Sequence, residues 1–281
     1  MTPQSFEVFA ALLRAGSGLA ITPDKVYLLE TRLAPLVKRD GLTGLDALAE
    51  RLRRPGQTVL AREVVEAMTT NESFFFRDDR PFTHMRTQAL PRLHAARPAG
   101  TKLRIWSAAA STGQEAYSLA MLVAEGRATL AGREVEILGT DIAREPLARA
   151  REATYTQFEI QRGLPMQLLA KYFRKDGAQW RLADAIRGMA SFREWNLLGD
   201  LRPLGQFDVV FCRNVLIYFD QPTKTRVLEA IARQLAPDGL LYLGGAETVL
   251  GITDRFVPSG SDHGVYELAG ARAAARERVV A

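Results

Sequence analysis

The chain has 281 residues, 47% of them hydrophobic, which allows one large domain with a smaller companion and excludes a chain dominated by disorder. Its formal charge of +5, from 37 basic and 32 acidic residues, is spread along the sequence and suits an acidic protein partner as well as RNA, so it selects neither. One cysteine, Cys212, excludes an internal disulfide and a cysteine-rich metal site, the scattered His84, His94 and His263 do not replace one, and neither a long apolar run nor a secretion-signal pattern is present; the expectation is a soluble, cytoplasmic protein without metal or membrane insertion.

Residues 1–66 read as helices. Val26, Leu29, Leu33, Leu36 and Val37 fall at helical spacing, with Thr22 and Pro23 as a start and Gly41 as a stop. Lys25, Arg32, Arg39, Arg51, Arg53 and Arg54 form a basic face, which is either a solvated surface or a docking surface for acidic helices. The chain then changes character at TTNESFFFRDD, residues 69–79. Three consecutive phenylalanines cannot all share one amphipathic face, so this stretch is predicted as a packed linker that turns Asn71, Ser73 and Arg77 toward a ligand site. A helix from Pro81 to Leu93 follows, and Arg97 to Gly100 form a loop.

From Leu103 to Leu122 the sequence reads as an apolar strand ending at Ser107, a turn of small residues to Gly113, and an amphipathic helix from about Gln114. Small side chains let a ligand approach the backbone, and the helix start supplies free N–H groups beneath it. GxGxxG and a P-loop lysine are both absent. Glu115 would repel a pyrophosphate and would suit ribose hydroxyls.

A second strand, VEIL, runs into Gly139, Thr140 and Asp141. Asp141 stands where wound α/β folds hold a ribose diol, although an acid there equally suits a cap for the helix that follows. Residues 151–192, including MASFREW, are too long and irregular for a crossover and read as a small β-rich appendage, which Asn196 and Leu197 end. FDVVFCRN is expected as the third parallel strand, with Cys212 buried in it and Arg213 and Asn214 emerging at the carboxyl edge where open sheets place ligands. A helix from Thr223 to Leu235 is expected to end at Pro237, Asp238 and Gly239, followed by the strand LLYLGG. GVYEL is expected as the closing edge strand and residues 271–281 as a frayed tail.

The alternation resembles the class I S-adenosylmethionine-dependent methyltransferases, and three stretches narrow it: TTNESFFFRDD (69–79), RIWSAAASTGQEAYSLA (104–120) and FDVVFCRNVLIYFD (207–220). Together they resemble the CheR family of chemotaxis receptor methyltransferases. The resemblance implies an α/β, Rossmann-like class I sheet with an N-terminal helical domain (1–66), a linker and helix contributing to the cofactor site (67–100), a methyltransferase domain (101–270) carrying the appendage, and a tail (271–281). It implies S-adenosylmethionine as cofactor, S-adenosylhomocysteine as product, and glutamate side chains of receptor cytoplasmic helices as acceptors, giving glutamate methyl esters. A monomer without nucleic-acid partners is expected.

Residue by residue, Asn71, Ser73 and Arg77 match linker positions that reach the cofactor; the family often has threonine where this chain has Ser73. Glu115 and Asp141 match acids around the methionine and ribose portions, and Asn196, Leu197, Arg213 and Asn214 match positions bordering the adenosyl group. Tyr218 matches an aromatic hydroxyl beside the methyl-transfer position, and with Arg77 it is expected to orient the acceptor carboxylate. Gln114 replaces an acid common before Glu115, and Gly244-Gly245-Ala246-Glu247 stands where the family often has Gly-His-Ser-Glu, a change on the substrate side. The short turn Lys175 to Ala178 resembles members that do not bind a receptor tether. The alternatives are a class I methyltransferase acting on a small molecule or nucleic acid, and a non-enzymatic receptor-binding module on the same scaffold. The first leaves the NESFFFR linker unexplained, and the second conflicts with retention of Glu115, Asp141 and Arg77.

Overall fold

In the computed structural model, residues 1–260 and 263–270 are described; the tail expected to fray lies outside the described residues. The chain packs as two units, one of Met1–Thr70 with Tyr218–Lys224 and the other of the remaining described residues.

The first unit is built from α1 (Pro3–Ser17), α2 (Val26–Arg39), α3 (Leu45–Leu52) and α4 (Thr58–Ala67). Helix α1 starts where the Thr2 hydroxyl accepts from Ser5 N–H at 3.3 Å, and it stops at Gly18, whose φ of 79° is left-handed. Phe6, Phe9 and Leu13 are buried on one face of α1, as are Leu29 and Leu33 on α2, Leu48 on α3 and Val64 on α4. Residues 218–224 join this unit through Ala20 N–H, which donates to the Tyr218 carbonyl at 3.0 Å, and a bridge between Leu19 and Phe219. Much of the basic face is spent internally: Arg39 pairs with Asp40 and Glu63, Arg51 with Asp40, and Arg32 donates to the Met68 and Thr69 carbonyls. Lys25 and Arg54 remain exposed.

The second unit opens with α5 (Arg80–His84), a π-helical turn (Met85–Ala89) and α6 (Leu90–Ala96). Then come β1 (Leu103–Ser107), α7 (Gln114–Glu125), β2 (Val135–Asp141) and α8 (Arg144–Glu152). The appendage comprises β3 (Thr154–Thr156), α9 (Gln157–Gln161), α10 (Met166–Tyr172), β4 (Phe173–Asp176) and β5 (Gln179–Leu182). The chain continues through α11 (Asp184–Arg187), β6 (Ala190–Glu194), β7 (Phe207–Cys212), α12 (Gln221–Gln234), β8 (Leu235–Leu243), β9 (Phe256–Pro258) and β10 (Val265–Leu268).

The main sheet has the order β6-β2-β1-β7-β8-β10-β9, with β6 through β8 parallel and β10 and β9 antiparallel, and the appendage is the antiparallel sheet β3-β5-β4. Three expectations change. The stretch ASFRE is not part of the appendage: it is the edge strand β6, pairing Ile137 with Ala190 and Asp141 with Glu194. Only Phe192 of this strand is buried, so its weak apolar pattern hid a sheet strand. GVYEL is not the closing edge, because β10 lies between β8 and β9. Pro237 to Gly239 do not separate helix from strand; α12 ends at Gln234, and these residues bulge within β8 between the pairs Phe207–Leu235 and Val209–Leu240.

The three phenylalanines find three different environments within this unit. Phe75 is fully buried edge-on to Tyr155 (5.0 Å) and Phe173 (5.5 Å), Phe76 packs on Phe82 (5.3 Å), and Phe74 lies under Arg162 (4.3 Å) and Arg77 (5.3 Å). Gly163 permits this course, since a Cβ there would lie 2.0 Å from the Phe75 carbonyl oxygen. No helix among the described residues is long and apolar enough to cross a membrane.

Candidate functional site

Strand β1 lies between β2 and β7, so the chain leaves its carboxyl end in opposite directions on its two sides and opens a crevice there. The turn from Ala108 to Gly113 crosses this crevice with Ser111 (φ 49°) and Gly113 (φ 93°) in left-handed conformations. A Cβ on Gly113 would meet that of Ala150 at 3.0 Å, so the turn sits tightly on α8. Asp141 closes the far side. Its Oδ2 accepts from Ser111 N–H at 2.8 Å and its Oδ1 from Ala143 N–H at 3.0 Å. No arginine or lysine pairs with it among the described residues, and burial pushes its carboxyl up from the ordinary value despite these N–H bonds. A carboxylate has about four lone-pair sites, so acceptor capacity remains beyond the backbone N–H groups of Ser111, Ala143 and Ile142, which suits hydroxyl donors. Ala143, not Asp141, occupies the cap position of α8.

The other side of β1 is organised by Arg213, whose side chain is 1% exposed. Its Nη1 donates to Glu115 Oε2 at 3.0 Å, and its Nη2 donates to the Arg77 carbonyl and to Asp78 Oδ2, both at 2.7 Å. Glu115 Oε1 accepts from the Ser107 hydroxyl at 2.7 Å. Burial pushes the Glu115 carboxyl up, and Arg213 and Ser107 oppose that shift. One guanidinium therefore joins the ends of β1 and β7, the first turn of α7 and the linker. That linker holds Phe76 (φ 49°), Asp78 (φ 69°) and Asp79 (φ 43°) in left-handed conformations, which cost about 1–3 kcal/mol each and persist only where contacts enforce them. Phe76 N–H donates to the Ser118 hydroxyl of α7 at 2.9 Å, adding a second tie. Arg213 Nε is buried without a hydrogen-bond partner, and the guanidinium lies over the Phe82 ring at 5.6 Å.

Glu247 had been noted only as part of a variant tetrapeptide. Its Oε2 accepts from the N–H groups of Asn214 and Gly244, each at 2.7 Å, and its Oε1 from those of Val215 (2.9 Å) and Ile217 (3.3 Å). It clamps the loop after β7 to the loop after β8 and holds Asn214 at φ 58°. Gly244 is required beside it, because a Cβ would lie 2.8 Å from both Asn214 Nδ2 and Glu247 Oε2. The available signal was an acid just after the end of a central strand; its target, 33 residues away, was not readable.

Of the remaining expected residues, Asn71 accepts through its carbonyl from the Ser111 hydroxyl at 2.8 Å, which ties the linker to the turn. Ser73 is half-buried, and Arg77 Nη1 donates to the Glu72 carbonyl at 3.1 Å. Leu197 is buried just after β6, where Asn196 Oδ1 accepts from Leu198 N–H at 2.9 Å. Cys212 is buried, and burial pushes its thiol well up. Tyr218 falls in the helical unit and is not among the residues that the second unit gathers.

With this geometry in place, comparisons identify what the chain is similar to. Residues 71–265 match the family model described as CheR methyltransferase, SAM binding domain, and residues 4–69 match the CheR methyltransferase all-alpha domain. The chain is 37% identical over 255 residues to the chemotaxis protein methyltransferase Cher2 of Pseudomonas putida, with 89% of this chain and 92% of that protein covered. It is 40% identical over 257 residues to chemotaxis protein methyltransferase 1 of Pseudomonas aeruginosa, with the same coverage. A chemotaxis protein methyltransferase of Vibrio anguillarum is 37% identical over 260 residues, covering 91% and 93%.

Proposed function

The chain belongs to the CheR methyltransferase family, an S-adenosylmethionine-dependent enzyme family, and from that premise we propose that it methylates glutamate side chains of chemoreceptor cytoplasmic helices. The observation that carries the cofactor half of this reading is the Asp141 carboxylate, held by the backbone N–H groups of Ser111 and Ala143 and paired with no cation. Asp141 would take the ribose hydroxyls, Asn196 and Leu197 would border the adenosyl group, and Glu115, beside Ser107 and Arg213, would face the methionine portion. Asn71, Ser73 and Arg77 cover the same site from the linker, and Arg213 and Asn214 complete the β7 border.

When bound, S-adenosylmethionine supplies a methyl group on a positively charged sulfur. A glutamate carboxylate is already ionised at neutral pH, and its conversion to a methyl ester releases no proton, so the site needs no general base. The work left to this chain is orientation and exclusion of water. Arg77 orients the acceptor carboxylate, and Tyr218 supports it; the tyrosine's role rests on the resemblance alone. The relatives named as chemotaxis protein methyltransferases support a chemotaxis protein as the acceptor. The test is incubation with methyl-labelled cofactor and receptor cytoplasmic fragments. Base-labile label mapping to glutamates is the expected result, and label that is stable to base, or none, would contradict the reading.

A further inference from the structure

Beyond the cofactor crevice, the second unit contains a cavity of about 680 Å³ at the carboxyl ends of β7 and β8 and along β10. Its volume lies within the range of about 300–1,000 Å³ typical of ligand sites. Asp78, Arg80, Arg213, Gly245, Glu247 and His263 contribute to its lining, over an apolar floor that includes Leu243 and Val265. None of the positions assigned to the cofactor above lines it except Arg213. That guanidinium reaches Glu115 with one nitrogen and Asp78 of the cavity with another, so it links the cavity to the residues assigned to the cofactor.

The charges of this lining are unequally committed. Asp78 is paired with Arg213, Arg213 is divided between Glu115 and Asp78, and Glu247 is consumed by four backbone N–H groups. Arg80 is exposed, and its guanidinium has no hydrogen bond or ion pair among the described residues. It also lines a second cavity of about 300 Å³ together with His263, so it sits on the ridge between the two. Among the described residues the uncommitted charge of the cavity is therefore positive, and it is carried by a side chain whose planar fork suits a carboxylate. Gly245 lies on the rim, where a Cβ would meet nothing within 4 Å. The position at which the family often carries histidine is thus left open in this chain.

We infer that this cavity is a flanking subsite for the acceptor segment and that Arg80 binds a second carboxylate of that acidic segment, beside the glutamate that Arg77 orients. The inference rests on the receptor-glutamate reading and adds to it a compartment and a recognition residue that the linker motif did not suggest. Arg80 is a binding residue: it holds the segment and takes no part in the transfer.

The experiment measures methylation of receptor fragments against receptor concentration, at saturating cofactor, for the full chain and for Arg80→Ala, Arg80→Lys and Gly245→Trp. Calorimetry with S-adenosylhomocysteine runs alongside. Arg80→Ala should raise the receptor KM about tenfold or more, as expected for a lost charged contact. Arg80→Lys should recover part of that loss, and Gly245→Trp should raise the same KM by filling the rim. Product affinity should be unchanged in all three. A receptor KM in Arg80→Ala equal to wild type, or a loss confined to kcat, overturns the assignment. If Arg80→Ala fails to bind the product, Gly245→Trp decides by the same criterion. A wild-type protein that labels no receptor glutamate overturns the functional reading and this inference together; label in wild type with no change in the variants overturns this inference alone.

Discussion

The two sides of β1 treat their buried acids differently. On the β2 side, Asp141 is held by backbone N–H groups, those of Ser111 and Ala143 among them, and pairs with no cation among the described residues, so its charge remains available to a ligand. On the β7 side, Glu115 is paired with Arg213, and Glu247 is spent on four backbone N–H groups. The Asp141 carboxylate is shared with no cation, whereas Glu115 shares its charge with Arg213 and Glu247 holds loops in place. An acid at a strand end is therefore not by itself a ligand-binding acid; what else reaches it decides.

The sharpest way to break the contrast is to remove Arg213. Arg213→Met leaves Glu115 buried without its cation and frees the strained linker, so stability should fall by about 3–5 kcal/mol. Urea denaturation measures this, and adding Glu115→Gln should recover much of the loss by removing the uncompensated charge. Full additivity of the two substitutions would show that the pair is not coupled.

Glu247→Gln tests the clamp. A glutamine presents one oxygen and turns an NH2 group toward N–H donors, leaving some of the four unsatisfied, at about 1–3 kcal/mol for each buried donor. The expected result is a loss of about 2–3 kcal/mol in denaturation, with cofactor-product affinity reduced through the misplaced loop of Asn214. A variant as stable as wild type would remove Glu247 from this role.

Asp141→Asn tests the acid on the other side of β1. It loses the charge and turns an NH2 group toward one of the two N–H donors of the turn, so the Kd for S-adenosylhomocysteine should rise about tenfold or more in calorimetry, with a stability loss of about 1–3 kcal/mol beside it. Its pH dependence has a definite sign. The folded-state value is raised above the ordinary 3.8, so between 3.8 and the raised value the folded protein holds more protons than the unfolded chain, and this contribution to stability is lost as pH rises. Asp141→Asn should therefore gain stability relative to wild type as pH is raised from about 4 to 7. A difference that shrinks over that window would contradict the assigned shift.

The smallest effect is expected at the basic face of the helical unit, much of which is internally paired. Reversing the exposed Lys25 and Arg54 to glutamate should slow receptor methylation only a few-fold, and the effect should fade as salt is raised from low to moderate concentration. A loss that persists at moderate salt would point to a specific contact instead of charge steering.

The same contrast explains what the sequence made legible. The cradle is contiguous: strand, small-residue turn and helix lie between Leu103 and Glu125, so its elements were readable from local pattern alone. Asp141 could be singled out because its position follows from strand order, although that Ala143 and not Asp141 takes the cap position of α8 was not readable. Strand β6 was misread because an edge strand exposes one face and carries little apolar signal. Strand β8 was misread at its start because Pro237 and Gly239 signal a break and here form a bulge. The clamp and the hub were not readable at all: Glu247 reaches back 33 residues to Asn214, and Arg213 reaches 98 to Glu115 and 135 to Asp78. Such pairings depend on the folded sheet and leave no periodic trace.

The central claim is that Asp141 on the β2 side serves the cofactor while Arg80, beside the β7–β8 edge, serves the acceptor, and one steady-state experiment addresses it directly. Receptor methylation is measured for Asp141→Asn and Arg80→Ala while cofactor and receptor are varied in turn. The account predicts a crossed result, with Asp141→Asn raising the KM for S-adenosylmethionine and leaving that for the receptor, and Arg80→Ala doing the reverse. Both variants raising the same KM would contradict it.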